Sequence, residues 1–404
     1  MNAALRAAAV ALLALYGPCV ASAQGLPSEP IVFADGHVTL GGNVSASIAP
    51  KDTGFFNYTD YERSTLRMFQ LDLTAAVKAN GHFTLLGDIR SENLDSPRPY
   101  GLYLRIRPWT DKSFDIQVGR VPPTFGRFSR RTYTTDNPLI GYPLGYQYLT
   151  SLRPDSLPAN ADELIRMRGR GWLANYSVGN PLPYHGLPLA TGFTWDTGLQ
   201  VHAGSSLFDV IGSVTSGTLC NPLFRDDNSG RSVAGRVEFH PVAGLLVGAS
   251  GTHGPFVTSA AAEAAVGDAS STDFTQTAWG TDVEYSRDYY LIRFESIWSA
   301  WRVPQLGVPV IDLPLRALAT SVEGRYKLRP GLYVAARVDH LGFSEVVGTQ
   351  RTATWDAPVT RAEVGGGYSI QRNLVVKLAL QYNTRDGGRV HTLWLPAAQL
   401  QFWF

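Results

Sequence analysis

The chain has 404 residues, with 35 Lys+Arg against 34 Asp+Glu and a formal net charge of +1. That balance offers no basic surplus to neutralise a phosphate backbone, so nucleic acid is excluded as an expected partner. Hydrophobic residues make up 44% of the chain, yet mean hydropathy is only −0.07. After the first residues no apolar run is long enough for a membrane helix, so any membrane crossing must use strands that are oily on one face only.

Residues 1–23 carry a positive start (Arg6), an apolar run from Ala7 to Leu15 and the small triplet Ala21-Ser22-Ala23. This pattern predicts a secretory signal peptide cut before Gln24. The run is too short to span a bilayer, and Pro18 occupies the place before Cys19 where a lipidation box needs a small residue. Cleavage leaves Cys220 as the only cysteine, so about 380 mature residues fold without an internal disulfide. Residues 24–36 are expected to form a short periplasmic segment ahead of one unit at 37–404.

Period-two alternation then runs through the chain. His37–Ile48 sets Val38, Leu40, Val44 and Ile48 on one side; Arg63–Ala79 does the same with Phe69, Leu71, Leu73, Ala75 and Val77. The dipeptide Asn80-Gly81 is a hairpin signal. His82–Asn93 follows, then Tyr100–Arg107 and Ser113–Arg120. Further hairpins are expected at Thr197–Ala203 with Leu207–Gly217, Ser232–His240 with Leu245–Ser250, and Gln276–Tyr285 with Tyr289–Ala300. Leu315–Leu328 pairs with Leu332–Leu341, and Arg361–Ile370 with Leu374–Asn383. Short turns inside these pairs alternate with longer polar loops such as Thr252–Phe274 and Gly342–Pro358.

The alternation makes the strand count testable. One strand over Leu164–Gly179 would put every later short turn on the long-loop side. A hairpin of Asp162–Gly169 and Leu173–Gly179 restores the order and gives about 18 strands, the favoured count; assigning the stretch to one very long loop gives about 16, also even.

The final stretch, HTLWLPAAQLQFWF from His391 to Phe404, sets Ala398, Leu400, Phe402 and Phe404 on one parity against Gln399 and Gln401. A bare apolar edge invites aggregation, and a barrel closed in lipid removes it by pairing last strand with first. With its export leader, the chain resembles the outer-membrane β-barrels of Gram-negative bacteria, whose last strand typically ends in Phe. The resemblance implies an all-β, closed antiparallel transmembrane barrel with both termini periplasmic, located in the outer membrane. It also implies that Phe404 is an assembly signal read by the barrel assembly machinery. Asp115–Gly126, which reads DIQVGRVPPTFG, resembles the strand-then-PFG passage of phosphate-selective-type porins, with Thr124 as an addition and arginine where that type has lysine. The implied function is passive diffusion of small hydrophilic solutes through a lipid-embedded channel, and a homotrimer is among the assemblies it allows.

The long connection at 121–161 either folds into the barrel and narrows it, as such loops often do in porins, or caps the extracellular rim with its tyrosines as a small core. Folded inward, it would bring Arg127, Arg130, Arg131, Tyr142 and Tyr146 to a constriction. Arg105 and Arg107 share one strand face and Arg166, Arg168 and Arg170 another. An arginine on the lipid face costs about 2–4 kcal/mol at the bilayer middle, so these side chains are expected in the lumen, where they would favour anions. Paired with Asp88, Asp115, Asp162 and Glu163, they would instead only brace the wall. Tryptophans Trp109, Trp172, Trp195, Trp279, Trp298, Trp301, Trp394 and Trp403 read as an interfacial girdle.

Other classes find less support. The eight histidines show no H-x-x-x-H or Cys/His cluster, so no metal is expected. No CxxCH haem sequence occurs, and Gly248-Ala249-Ser250-Gly251 misses the spacing of a nucleophile elbow. The reading is a non-enzyme without cofactor. Its alternatives are a barrel sheath for a cytochrome or lipoprotein partner, and an outer-membrane hydrolase.

Overall fold

The computed structural model describes residues 29–59, 63–128, 133–192, 194–268 and 272–404. The segment expected as a signal peptide, 1–23, lies outside them.

Sixteen strands form the wall: β1 (Val38–Ile48), β2 (Phe69–Lys78), β3 (Phe83–Glu92), β4 (Arg98–Ile106), β5 (Phe114–Val121), β6 (Asp196–Gly204), β7 (Phe208–Thr215) and β8 (Ser232–Val242). They continue as β9 (Leu245–Pro255), β10 (Thr275–Arg287), β11 (Tyr290–Trp301), β12 (Leu315–Arg329), β13 (Leu332–Phe343), β14 (Val359–Gln371), β15 (Leu374–Arg385) and β16 (Thr392–Trp403). Each is antiparallel to its sequence neighbours, and β16 closes on β1 with Val44 opposite Phe402, Ser45 opposite Gln401 and Ala46 opposite Leu400. A short extra strand, Ile31–Phe33, adds to β1 beside that seam. The count is sixteen, the second of the two anticipated.

The parity read from sequence decides the two faces. On β16, Gln399 and Gln401 are buried toward the lumen while Leu400 points out and is 47% exposed. The Phe404 ring covers Gly42 on the outer side, where a Cβ would stand 2.5 Å from Cε1, and the two residues exchange both backbone hydrogen bonds. Apolar side chains turned outward lose nothing in lipid, whereas every backbone group must find its partner inside the wall. Outward aromatics gather at both rims. Trp279, Trp298 and Trp394 lie toward the long-loop end, and Phe208, Tyr290, Tyr326 and Tyr368 toward the short-turn, periplasmic end where β1 begins and β16 ends. Trp301 departs from the expected girdle: it faces inward, 1% exposed, edge-on to Trp355.

The connection between β5 and β6 covers residues 122–195, so it runs well past the anticipated limit of 161. No hairpin forms over 162–179. Instead Ala161–Arg166 makes a short helix, α1, because Asn160 accepts from the Glu163 backbone N–H at 2.9 Å and Asp162 and Glu163 sit at its positive end. Within the barrel this connection builds a second core: Leu144, Tyr146, Tyr148, Leu152, Leu157 and Leu164 pack with the wall residues Ile297, Leu315 and Leu341.

Candidate functional site

A connection placed inside a barrel must find partners for its irregular backbone, and the lumen wall supplies them as charges. Lys377 Nζ on β15 donates to the carbonyls of Thr134 and Asn137, each at 2.6 Å. Arg337 Nη2 on β13 donates to Gly141 O at 2.7 Å, and Glu363 on β14 accepts from Gly141 N at 3.0 Å. Arg361 reaches Tyr142 O at 2.9 Å and, from the β1–β2 loop, Phe56 O at 2.7 Å. Tyr333, one residue into β13, donates to Pro138 O at 3.0 Å, so the segment descends almost to the short-turn end.

Behind these contacts lies a belt of ion pairs. Arg236 holds Asp282 through two nitrogens at 2.6 and 2.8 Å and Glu238 at 2.8 Å. Arg293 bridges Glu284 and Glu323 at 2.9 and 2.8 Å. Arg337 joins Glu323, Asp339 and Glu363 at 3.2, 3.1 and 2.7 Å. A buried charge is tolerated only when paired and hydrogen-bonded, and here acids and bases alternate from β8 to β14.

Two cavities flank the inserted segment. The upper, about 520 Å³, lies at the long-loop ends of β3–β5 and is lined by Arg63, Arg90, Arg98 and Arg120 against Glu92 and Asp95. The lower, about 490 Å³, opens at the short-turn end of β12–β16. Arg325, Lys327, Arg329 and Lys377 line it, and no carboxylate does.

The residues singled out from sequence fall in different places. Arg105 points inward from β4, opposite Gln117, as expected, but Arg107 lies beyond the strand end and is exposed. Arg127 is inside the barrel, 3.5 Å from Glu238, with its backbone N–H on Glu295 at 3.0 Å. Arg130 and Arg131 lie outside the described residues. Arg166, Arg168 and Arg170 do not form a lumen ladder, because α1 replaces the strand that would have aligned them. Arg166 is 59% exposed beside Glu163, Arg168 bonds Thr354 at 2.7 Å at the long-loop rim, and Arg170 is exposed. Tyr142 and Tyr146 are inside the barrel but buried, 2% and 1% exposed, so they line no open water. Burial pushes both hydroxyls above the usual tyrosine range, and for Tyr146, which donates to Glu295, that carboxylate adds to the shift. Phe404 is at the closing seam.

Sequence reasoning passed over Arg293, Arg337 and Arg361, which hold the segment, and Arg236 of the belt behind it, since each looks like any other polar inward position. For α1 a signal did exist: Asn160 followed three residues later by Glu163 is a capping pattern.

No protein-family model matches the sequence, and no curated protein does. The fold is nevertheless that of the bacterial outer-membrane porins. The chain is similar to Salmonella typhi OmpF in complex with daunomycin at 12% identity and a TM-score of 0.56, over 93% of this chain and all of that one. It is similar to an anion-selective porin from Comamonas acidovorans at 9% identity and 0.54, over 91% and 99%. The trimer form of OmpT, an outer membrane protein of Vibrio cholerae, matches at 13% identity and 0.51, again over 91% and 99%.

Proposed function

We propose that the chain is an outer-membrane porin through which small hydrophilic solutes diffuse passively, with a preference for anions. The observation that carries the preference is the lower space, where Arg325, Lys327 and Arg329 line the opening above the buried Lys377, with no carboxylate in the lining. Like charges gathered in a partly desolvated mouth raise the local anion concentration. The upper space adds four arginines against two acids. The reading includes a cleaved leader at 1–23 and a homotrimer as the assembly to test by crosslinking.

Neither alternative class gains an observation. A sheath needs a free lumen, and the chain's own residues 133–149 occupy this one. For a hydrolase, the hydroxyls that meet imidazoles among the described residues are those of Thr277 and Thr360, both on outward-facing pairs near the rim.

The test is the reversal potential of the purified protein in a planar bilayer under a KCl gradient. Chloride should permeate better than potassium, and Arg325→Gln with Lys327→Gln should move the potential toward cation preference. The shift should be larger in dilute salt, because the Debye length is about 30 Å at 0.01 M and about 3 Å at 1 M. A wild-type channel that prefers potassium overturns the anion preference, and a folded protein that never conducts overturns the porin reading.

A further inference from the structure

Opposite the basic lower space, four neighbouring strands bring two imidazoles and three carboxylates together on the lumen side of the short-turn mouth. The strand registers produce the cluster. Asp115 on β5 stands directly across from His202 on β6, and Asp209 on β7 directly across from Glu238 on β8. His202 and His240 then fall diagonally on either side of Asp209. His240 Nε2 is 3.1 Å from Asp209 Oδ2 and 3.8 Å from Glu238 Oε2. His202 spans two acids, with Nδ1 at 3.4 Å from Asp115 Oδ2 and Nε2 at 3.3 Å from Asp209 Oδ1.

We propose that Asp209, Glu238 and His240 form a binding site for a late first-row divalent metal ion of the zinc class at the periplasmic mouth of the barrel. The spacing is the first reason. Metal–ligand distances of about 2.0–2.2 Å place neighbouring ligand atoms of a tetrahedral ion about 3.3–3.6 Å apart. One ligand atom from each of the three residues lies within 4.8 Å of the other two, and the two imidazole-to-carboxylate separations bracket the tetrahedral value.

The second reason is how each donor is already committed. Glu238 Oε1 accepts from Arg236 Nε at 2.8 Å and faces Arg127 Nη1 at 3.5 Å, and Oε2 stands 3.8 Å from His240 Nε2. Among the described residues, the side-chain partners of the Asp209 carboxylate are the two imidazoles. An inward carboxylate beside a second one, met by imidazoles alone, is a cation site by its charge as well as its shape. His202 is a positioning residue: bound to Asp115, it holds Asp209 Oδ1 and so aims Oδ2 at the metal. Ligating carboxylates are oriented in this way by outer partners. Imidazole with carboxylate suits zinc, copper or nickel over magnesium. The His240 side chain is 32% exposed, so the ion enters from the mouth and water completes its shell.

The test uses tag-free full-length protein folded in detergent, stripped with EDTA and titrated with zinc chloride by calorimetry. We expect one zinc ion per chain. Asp209→Asn, which keeps the size of the side chain, and His240→Ala should each remove binding, and His202→Gln should weaken it about 10–100-fold. Heat-modifiable gel mobility checks that each variant is folded. Wild-type protein that is folded yet binds no zinc at millimolar concentration overturns the proposal. So does zinc binding that Asp209→Asn and His240→Ala both leave unchanged. Either result leaves the porin reading untouched, because binding is measured without conductance.

Discussion

Arg337 is the residue whose loss should be felt most. Its side chain is fully buried and engages Glu323, Asp339 and Glu363 on three strands at 3.2, 3.1 and 2.7 Å, with Gly141 O of the inserted segment at 2.7 Å. Arg337→Met keeps an unbranched apolar stem and removes the charge. Glu323 then retains Arg293 at 2.8 Å, and Glu363 retains Gly141 N at 3.0 Å and Gln381 at 3.1 Å. Asp339 loses the guanidinium it shares. Breaking a buried ion pair from one side costs about 3–5 kcal/mol, because an uncompensated charge remains in the wall. At about 1.4 kcal/mol per tenfold, the folding equilibrium falls by about two to three and a half orders of magnitude. Urea unfolding followed by heat-modifiable gel mobility should show that loss. Gly141 O also loses its donor from the wall and keeps only Asn137 Nδ2 of its own segment at 2.7 Å, so the segment loosens and single-channel conductance rises. Arg337→Lys should be intermediate, since an ammonium restores the charge but cannot reach four partners through one planar fork. An Arg337→Met protein that unfolds at the wild-type urea midpoint would refute this account of the belt.

Three further outcomes test other parts of the molecule. Gly42→Val should push the Phe404 ring aside and lower the temperature at which the folded band is lost, whereas deleting Phe404 should also lower folded yield in cells; equal yield for the deletion would remove its role in assembly. Arg166→Gln with Arg168→Gln should leave the reversal potential where it is, because both side chains sit at or beyond the long-loop rim; a shift toward cation preference would put them in the conduction path. Cys220, 2% exposed, has its thiol pushed up by burial to about 11, so maleimide at pH 8 should label it only after unfolding. Because the raised value favours the protonated thiol in the folded chain, its stabilising contribution is present below pH 9.0 and fades as pH rises toward 11. Labelling of the folded barrel at the unfolded rate would contradict that burial.

Sequence alone determined the class of fold. Alternation on β16 assigned Leu400 and Phe402 to one face and Gln399 and Gln401 to the other, and short turns marked which ends of later hairpins lie together. A period of two is set by backbone geometry, so it is legible wherever one face meets lipid. The same pattern carries no information on how deep an inward residue lies or what stands opposite it. Arg105 and Arg337 are both inward arginines in alternating strands, yet only the folded chain shows that Arg337 is buried beneath residues 133–149. The path of 122–195 was decided by packing in the lumen, with the Asn160–Glu163 cap turning the expected strand into α1. The meeting of His202, Asp209, Glu238 and His240 depended on strand register, which places residues far apart in sequence side by side because β6, β7 and β8 are neighbours in a closed sheet.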